Sequence, residues 1–242
     1  MRTSQGKSLG IVSTKGGVGK TTTSINLASQ LSLRSIDVVY IDCDFHNANG
    51  GIYLGLPYNA NTLHGFLDGS HSIHDAKYLH PSGLIVIPGS INYQKSKKVD
   101  ITRFHEGINE LKRHHELSIL DMTTELHTHH NALHSCDGAI LVTDPYPASI
   151  TDALKTIQLL EEKKKHILGV IINRVLNEHY ELSSNNVKDM LGLNVIGVIP
   201  EHPTIRHAQH LKHPLPFIFP EHEVAKTYKE PASYIEQWLT RE

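Results

Sequence analysis

The residues best suited to chemistry lie in the stretch 13–22, which reads STKGGVGKTT. Its glycines allow the backbone to curl so that successive N–H groups point inward at phosphate oxygens. Lys20 can reach the β- and γ-phosphates of a nucleotide, and the Thr21 hydroxyl can bind Mg²⁺. The stretch therefore predicts a phosphate-binding loop made of Lys15, Gly16, Gly17, Val18, Gly19, Lys20, Thr21 and Thr22.

The segments on either side of this loop predict the elements that position it. Residues 9–12 are an apolar run typical of a buried strand, and residues 23–33 place apolar side chains at helical spacing. The positive N-terminal end of a helix adds to the attraction for phosphate. A strand, a glycine-rich turn and a helix in this order are the context that a phosphate-binding loop requires.

Carboxylates follow two further predicted strands. Asp42 and Asp44 come after the β-branched run 38–41, and Asp121 ends the apolar run 117–121. The carboxyl ends of parallel strands border the ligand crevice of a doubly wound sheet. An Asp at the end of an apolar strand is the Walker B pattern, which holds Mg²⁺ through a water molecule. We therefore expect all three at the crevice; loop capping is the alternative for Asp42 and Asp44.

Strands and helices alternate along the whole chain. The predicted strands are residues 9–12, 38–41, 84–87, 117–121, 138–143, 167–172 and 195–199. The predicted helices are residues 23–33, 63–67, 100–113 with Asp100 as N-cap, 150–160, 183–191, 204–211 and a segment from 221 to the end, kinked or restarted at Pro231. This alternation predicts an α/β fold with a doubly wound, mostly parallel sheet of about seven strands. We expect one domain over residues 1–242.

The composition excludes several classes of protein. Lys and Arg total 23 against 25 Asp and Glu, so the net charge is −2 and no general basic field favours nucleic acid. Cys43 and Cys136 lie far apart, which argues against a disulfide framework or an iron–sulfur cluster built within one chain. The sequence shows no signal segment and no apolar stretch of transmembrane length. We expect a soluble cytoplasmic protein.

Several motifs together resemble the MinD/ParA family of ATPases. The segment 15–22, KGGVGKTT, is similar to that family's deviant phosphate loop, with a second lysine near its start. The segment 42–55 matches DxDxxxANxxxxLG, which resembles the family's switch I. Residues 173–174 read NR and residues 199–201 read IPE, similar to the segments beside the adenine base. The resemblance runs from residue 9 to about 235 and is closest to MinD-like proteins of archaea and bacteria.

This resemblance implies an ATP-dependent switch that requires Mg²⁺. Asp44 would position the attacking water, and the amide of Asn173 would hydrogen-bond the adenine edge. Lys15, whose stem points away from the phosphates of its own loop, would reach the partner's phosphates in an ATP-dependent, face-to-face homodimer. The implied catalytic residues are Lys15, Lys20 and Asp44; the implied metal site is Thr21, Asp42 and Asp121; the implied base contacts are Asn173, Arg174, Pro200 and Glu201.

The segment after Asp121 departs from the family pattern. Relatives continue with a DxPxG-like turn, whereas residues 121–125 read DMTTE. Glycine allows the backbone to approach the γ-phosphate closely. Because Glu125 replaces that glycine, we expect slow basal hydrolysis.

Three biological roles remain open from the sequence. The first is a spatial regulator, as in cell division, that acts on an unidentified regulatory protein partner. The second is a DNA-partition ATPase, for which the lysines at 95, 97, 98 and 163–165 could provide contacts, although solvated surface is the favoured interpretation. The third is a metallocentre-assembly ATPase. Besides these three roles, the altered segment after Asp121 leaves open a nucleotide-binding protein that does not hydrolyse ATP. The C-terminal residues lack a basic amphipathic segment, so we expect membrane contact to be weak or indirect.

The chain contains 19 histidines, scattered along its length. His127, His130 and His134 have i, i+3, i+7 spacing, which would align them on one helix face. Neutral imidazole is a common ligand of divalent metals. A metal site at this segment is one interpretation, and solvated or partner-facing histidines are the favoured one.

Overall fold

The computed structural model describes residues 5–13, 15–58, 60–92, 100–124 and 132–241. The strands of these residues are β1 (Lys7–Val12), β2 (Val38–Cys43), β3 (Tyr78–Leu79), β4 (Ile85–Ile87), β5 (Leu117–Met122), β6 (Gly138–Thr143), β7 (His166–Val175) and β8 (Val195–Pro200). They form one sheet in the order β3-β4-β2-β5-β1-β6-β7-β8. Every pair is parallel except β3 with β4. The doubly wound, mostly parallel sheet is therefore confirmed.

The seven predicted strands are all present, and the described residues add an eighth. That strand, β3, has only two residues and runs antiparallel at the edge of the sheet. Its Leu79 is 76% exposed, so the pair shows no apolar alternation that could have marked it. The prediction of about seven strands was one too few for this reason.

The helices of the described residues are α1 (Lys20–Ser32), α2 (Gly50–Tyr53), α3 (Leu63–Leu67), α4 (Ile101–His114), α5 (Pro147–Glu162), α6 (Ser184–Leu191), α7 (Pro203–His210), α8 (Leu215–Ile218), α9 (Glu223–Lys226) and α10 (Lys229–Leu239). Two 3₁₀ turns span His74–Ala76 and Ala132–Ser135. None of these helices is long and apolar enough to cross a membrane.

Two apolar clusters lie on opposite faces of the sheet. One packs α3, α4, α5 and α6 against it, with buried side chains such as Phe104 and Ile157. The other packs α1 and the C-terminal helices against it, with Leu27, Tyr228 and Ile235 among its members. Because both faces are covered, the strands carry continuous apolar runs.

Local sequence signals explain where several helices begin. The Asp100 side chain accepts a hydrogen bond from the Arg103 N–H (3.1 Å) and caps α4, as predicted. The expected start of α1 at residue 23 was wrong: the helix begins at Lys20, directly after Gly19 in the left-handed conformation (φ 88°). The predicted tail helix is divided into α9 and α10, and Pro231 lies in the first turn of α10, where a missing N–H is tolerated.

The strand order gathers the predicted functional segments at one edge. β1 lies between β5 and β6, and β2 lies next to β5. Asp42 of β2 and Ile11 of β1 are both register partners of Asp121. The carboxyl ends of β1, β2 and β5 therefore meet beside the N-terminus of α1. Several predicted features lie outside the described residues: Lys95, Lys97, Lys98, Glu125, His127 and His130.

Candidate nucleotide-binding site

A cavity of about 520 Å³ opens at the carboxyl edge of the sheet. Its lining residues are Ser13, Lys15, Gly16, Gly17, Val18, Gly19, Lys20, Thr21, Thr22, Asp44, Asn47, Asn49, Tyr53, Thr124, Asn173, Arg174, Glu201, Ile205, Arg206 and Gln209. All eight predicted loop residues thus face one space, together with Asp44 and residues from the end of β7.

The backbone of the loop is curled and leaves open space. Gly17 and Gly19 have φ angles of 82° and 88°, which side-chain-bearing residues rarely adopt. A Cβ atom added at Gly17 would meet nothing within 4 Å, whereas one at Gly19 would lie 2.2 Å from Nδ2 of Asn173. That amide donates a hydrogen bond to the Val18 carbonyl (2.7 Å). The loop is therefore held in shape from the β7 side and presents its concave side to the cavity.

Lys20 and Asp121 form a buried ion pair at the base of the cavity. Nζ of Lys20 lies 2.7 Å from Oδ1 of Asp121, and the two side chains are 5% and 0% exposed. The carboxylate of Asp121 also accepts hydrogen bonds from Ser24 Oγ (3.2 Å) and Tyr40 OH (3.1 Å). Burial is the largest single influence and lowers the pKa of Lys20, but the charge and hydrogen bond of Asp121 together with the charges of Asp44 and Asp42 outweigh it, and the net direction is upward. Lys20 is thus charged.

Asp42 lies beside this pair and carries a perturbed carboxyl. Its oxygens accept hydrogen bonds from the backbone N–H groups of Gly50 (2.8 Å) and Asp44 (3.2 Å). Burial, followed by the charge of Asp121, raises the pKa of Asp42 to about 8. One ammonium does not compensate two ionised carboxylates, so the Asp42 carboxyl is mostly protonated at about pH 7 and could exchange its proton for a further cation. The oxygen donors of Thr21, Asp42 and Asp121 are of the kind that Mg²⁺ prefers.

Asp44 lies two residues after Asp42 and lines the cavity. Its Oδ1 accepts a hydrogen bond from the Asn47 N–H (3.1 Å), and its side chain is half-buried. The turn fixes the Asp44 carboxylate while leaving it next to the cavity, where it could orient a water molecule.

Lys15 lies at the mouth of the cavity and is held by its own chain. Its Nζ donates hydrogen bonds to Asp144 Oδ2 (3.1 Å) and Ser149 Oγ (2.7 Å). The Lys15 side chain is 39% exposed and that of Asp144 is 8% exposed. The sequence offered Lys15 no partner within its own chain, so these two contacts are new.

A third region of the cavity is rich in paired charges. Arg174, in the left-handed conformation (φ 62°), donates from Nη1 to the Gly17 carbonyl (2.8 Å) and from Nε to Glu201 (3.0 Å). Arg206 donates to the other oxygen of Glu201 (2.8 Å). Pro200 ends β8 opposite Val175 and is not among the lining residues. The two arginines and Glu201 form a polar wall beside the loop.

Comparison with known proteins decides the family. The sequence pattern of the CobQ/CobB/MinD/ParA nucleotide binding domain matches residues 9–215. This chain belongs to that family. An uncharacterized ATP-binding protein of Methanocaldococcus jannaschii is 35% identical over 226 residues, which are 93% of this chain and 86% of the relative.

Solved MinD structures share the fold. The septum site-determining protein MinD of Pyrococcus horikoshii, complexed with Mg-ADP, is 29% identical with a TM-score of 0.89, over 97% of both chains. MinD from a MinC:MinD cell division protein complex of Aquifex aeolicus is 25% identical with a TM-score of 0.86, over 96% of both chains. MinD/ParA proteins bind ATP with Mg²⁺, and the curled loop and the excess of buried carboxylate in this member suit that pair of ligands.

Several residues of this MinD/ParA site were missed from the sequence. Asp144 follows β6 at the same edge as Asp42 and Asp121, so the rule that found those two could have found it. Tyr40 lies inside an apolar strand, and nothing in its neighbours indicates that its hydroxyl reaches Asp121. Gln209 on α7 donates to Thr22 Oγ1 (2.8 Å) across 187 positions of sequence, which no local pattern reveals.

Proposed function

We propose that this chain is an ATP-hydrolysing switch whose ATP-bound form is a face-to-face homodimer that positions a protein partner, as a MinD-like regulator of cell division or cell organisation. The observation that supports it most is the placement of Lys15. Its ammonium lies at the mouth of the cavity and is partly exposed, so its contacts with Asp144 and Ser149 could be replaced by contacts with a phosphate. ATP bound in this cavity would bring the two mouths together.

The base of the cavity would bind the phosphates and the metal. The N–H groups of the loop would surround the phosphate oxygens, and Lys20, which lines the cavity, would add its positive charge while it stays beside Asp121. Asp121 and Asp42, with the Thr21 hydroxyl, would hold Mg²⁺, which would supply positive charge to the phosphates. Asp44 accepts a hydrogen bond from the attacking water and orients it.

Arg174 and Glu201 would border the adenine of ATP, with Pro200 behind them at the end of β8. The Asn173 amide has both a donor and an acceptor, which suits the adenine edge. Its Nδ2 is engaged by Val18, so we assign base recognition to its carbonyl oxygen together with neighbouring backbone groups.

The dimer would form by exchange of ion pairs. In the monomer Lys15 pairs with Asp144 at 3.1 Å; in the dimer it would pair with the partner's phosphates, as an arginine finger does. The triphosphate of ATP carries more charge than one carboxylate and more than the diphosphate of ADP, so the exchange favours the dimer most when ATP is bound. Nucleotide state would thus control assembly.

Light scattering of four samples tests this proposal. Wild type and Lys15→Ala are each measured with ADP and with a slowly hydrolysed ATP analogue. We expect a wild-type dimer with the analogue alone, whereas Lys15→Ala binds the analogue as a monomer. Lys155→Ala is the matched control, because Lys155 is an exposed lysine of α5 paired with Asp152 at 2.9 Å. A dimer that survives Lys15→Ala with full hydrolysis contradicts the proposal.

The partner is tested separately. Asp44→Ala should accumulate the ATP-bound dimer, so a pull-down with this variant in ATP should enrich the partner over a pull-down with Lys15→Ala. The DNA-partition alternative is less supported, since Lys165 of the basic run donates to the carbonyls of His134 and Cys136. Salt-sensitive binding of non-specific DNA by the dimer would restore that alternative.

A further inference from the structure

Three side chains from two elements converge on the surface of the protein, apart from the nucleotide cavity. Glu110 and His114 are four residues apart near the end of α4, so they share one helix face. His74 approaches them from the 3₁₀ turn His74–Ala76. Their potential ligand atoms all lie within 4.8 Å of one another. We propose that His74, Glu110 and His114 form a binding site for a late first-row divalent metal, with Zn²⁺ as the prototype.

The distances suit a single ion. Nε2 of His114 lies 3.0 Å and Nε2 of His74 lies 3.4 Å from the same oxygen, Oε1 of Glu110. With metal–ligand bonds near 2.0–2.1 Å, two ligands of a tetrahedral ion are separated by about 3.3 Å. The two imidazole rings are 5.1 Å apart and nearly perpendicular, so both can direct a nitrogen at one point. Small side-chain adjustments would therefore complete the site.

The carboxylate is prepared for this role by a neighbour. Arg113 donates to Oε2 of Glu110 (2.7 Å) and leaves Oε1 to the two histidines. Such outer partners orient the ligands of metal sites. Asp75, held by Ser72, adds a second negative charge beside His74.

The donor set indicates which metals would bind. Two imidazoles and one carboxylate favour Zn²⁺, Cu²⁺, Ni²⁺ or Co²⁺ over Mg²⁺, which prefers all-oxygen sites. Three protein ligands leave the fourth position to solvent, because His74 and His114 are exposed. The ion would join the 3₁₀ turn to the last turn of α4, two segments 36 residues apart. None of the three ligands lines the nucleotide cavity, so this site is independent of the proposed ATPase.

Calorimetric titration of the untagged, metal-free protein with Zn²⁺ tests the site. Excess Mg²⁺ is present so that the carboxylates of the nucleotide cavity do not contribute. We expect wild type to bind one Zn²⁺ ion per chain more tightly than any other. The affinity for that ion should be at least tenfold weaker in His74→Ala, His114→Ala and Glu110→Gln. His210→Ala is the matched control, because His210 is also an exposed histidine that ends a helix, and it should bind as wild type does.

Two further measurements keep the test decisive. Circular dichroism verifies that each variant is folded. If an alanine variant does not fold, Glu110→Gln still tests the site, because it keeps the shape of the side chain. Co²⁺ should give the intense visible absorption of a four-coordinate site in wild type and not in Glu110→Gln. No saturable Zn²⁺ binding in wild type, unchanged binding in all three ligand variants, or an equal loss in His210→Ala would each overturn the proposal. These results leave the ATP-dependent dimer unaffected.

Discussion

Two groups of side chains at the candidate nucleotide cavity differ. The floor group is Lys20, which lines the cavity, with Asp42 and Asp121 behind it; the rim group is Lys15, which also lines the cavity, with Asp144 and Ser149 behind it. Each contains a lysine–aspartate pair. The floor pair is almost completely buried at 2.7 Å, whereas the rim lysine is 39% exposed at 3.1 Å from its aspartate. Breaking a buried pair is costly because each charge loses its partner, whereas a pair with a partly exposed lysine contributes less, even though Asp144 itself is only 8% exposed. The same residue types thus give a fixed part and an exchangeable part of one site.

The largest expected effect is on folding stability, which should depend strongly on Lys20 and weakly on Lys15. Lys20→Ala leaves Asp121 buried without its counter-ion and should lower the free energy of unfolding by about 3–5 kcal/mol. Lys15→Ala should lower it by at most about 1 kcal/mol. Urea unfolding without nucleotide measures both. The double variant Lys20→Ala/Asp121→Asn should recover part of the loss, and equal losses in the two single variants would remove the distinction between floor and rim.

The next effect distinguishes Asp44, whose loss should slow hydrolysis, from Asp121, whose loss should weaken nucleotide binding. Asp44→Ala should bind ATP normally but hydrolyse it at least about 100-fold more slowly, because the attacking water loses its orienting group. Asp121→Ala should instead weaken binding that depends on Mg²⁺. Calorimetry with and without Mg²⁺, together with single-turnover hydrolysis, distinguishes them. Identical behaviour of the two variants would show that the assigned roles are wrong.

A proton should be released when the floor binds its ligands. The pKa of Asp42, raised to about 8 by burial and by Asp121, leaves this carboxyl mostly protonated at about pH 7. Mg²⁺ beside it favours the ionised form, so binding of Mg-ATP should expel up to one proton. Release should decline above about pH 8, where the carboxyl is already ionised. Calorimetry in buffers of different ionisation enthalpy counts the protons; Lys15→Ala should match wild type, and Asp42→Asn should release none.

The smallest effect concerns the rim. Asp144→Asn keeps the shape of the side chain but removes the charge that holds Lys15 in the monomer. Because an exposed pair contributes at most about 1 kcal/mol, the ATP-dependent dimer should form up to about fivefold more tightly. Sedimentation across a concentration series measures this, with Asp152→Asn on the same helix as control. Weaker dimerisation in Asp144→Asn would mean that Asp144 supports Lys15 in the dimer rather than competing for it.

The sequence was informative wherever a function depends on a single segment. The loop 15–22 and the strand-end residues Asp42, Asp44 and Asp121 each lie next to an apolar run, so strand, turn and helix patterns locate them. The fold follows for the same reason, since alternating strands and helices permit few arrangements.

Contacts between distant segments could not be predicted in this way. Lys15 meets Asp144 across 129 positions, and Tyr40 reaches Asp121 across 81, so only the packed sheet brings them together. The histidines show the same limit. Regular spacing drew attention to His127, His130 and His134, whereas the described convergence joins His74 to His114 from separate elements.

The hydrogen bonds from the end of β7 to the phosphate-binding loop should affect the rate of nucleotide binding. Asn173 and Arg174, adjacent at the end of β7, hold the carbonyls of Val18 and Gly17. Contacts within the chain therefore already curl the loop, and little backbone entropy remains to be lost on binding, where ordering one residue opposes binding by about 1–2 kcal/mol. Nucleotide capture should be fast and should not wait for the loop to rearrange. If the chain is the proposed switch, we expect its response to hydrolysis in other segments, such as the turn that carries Asp44.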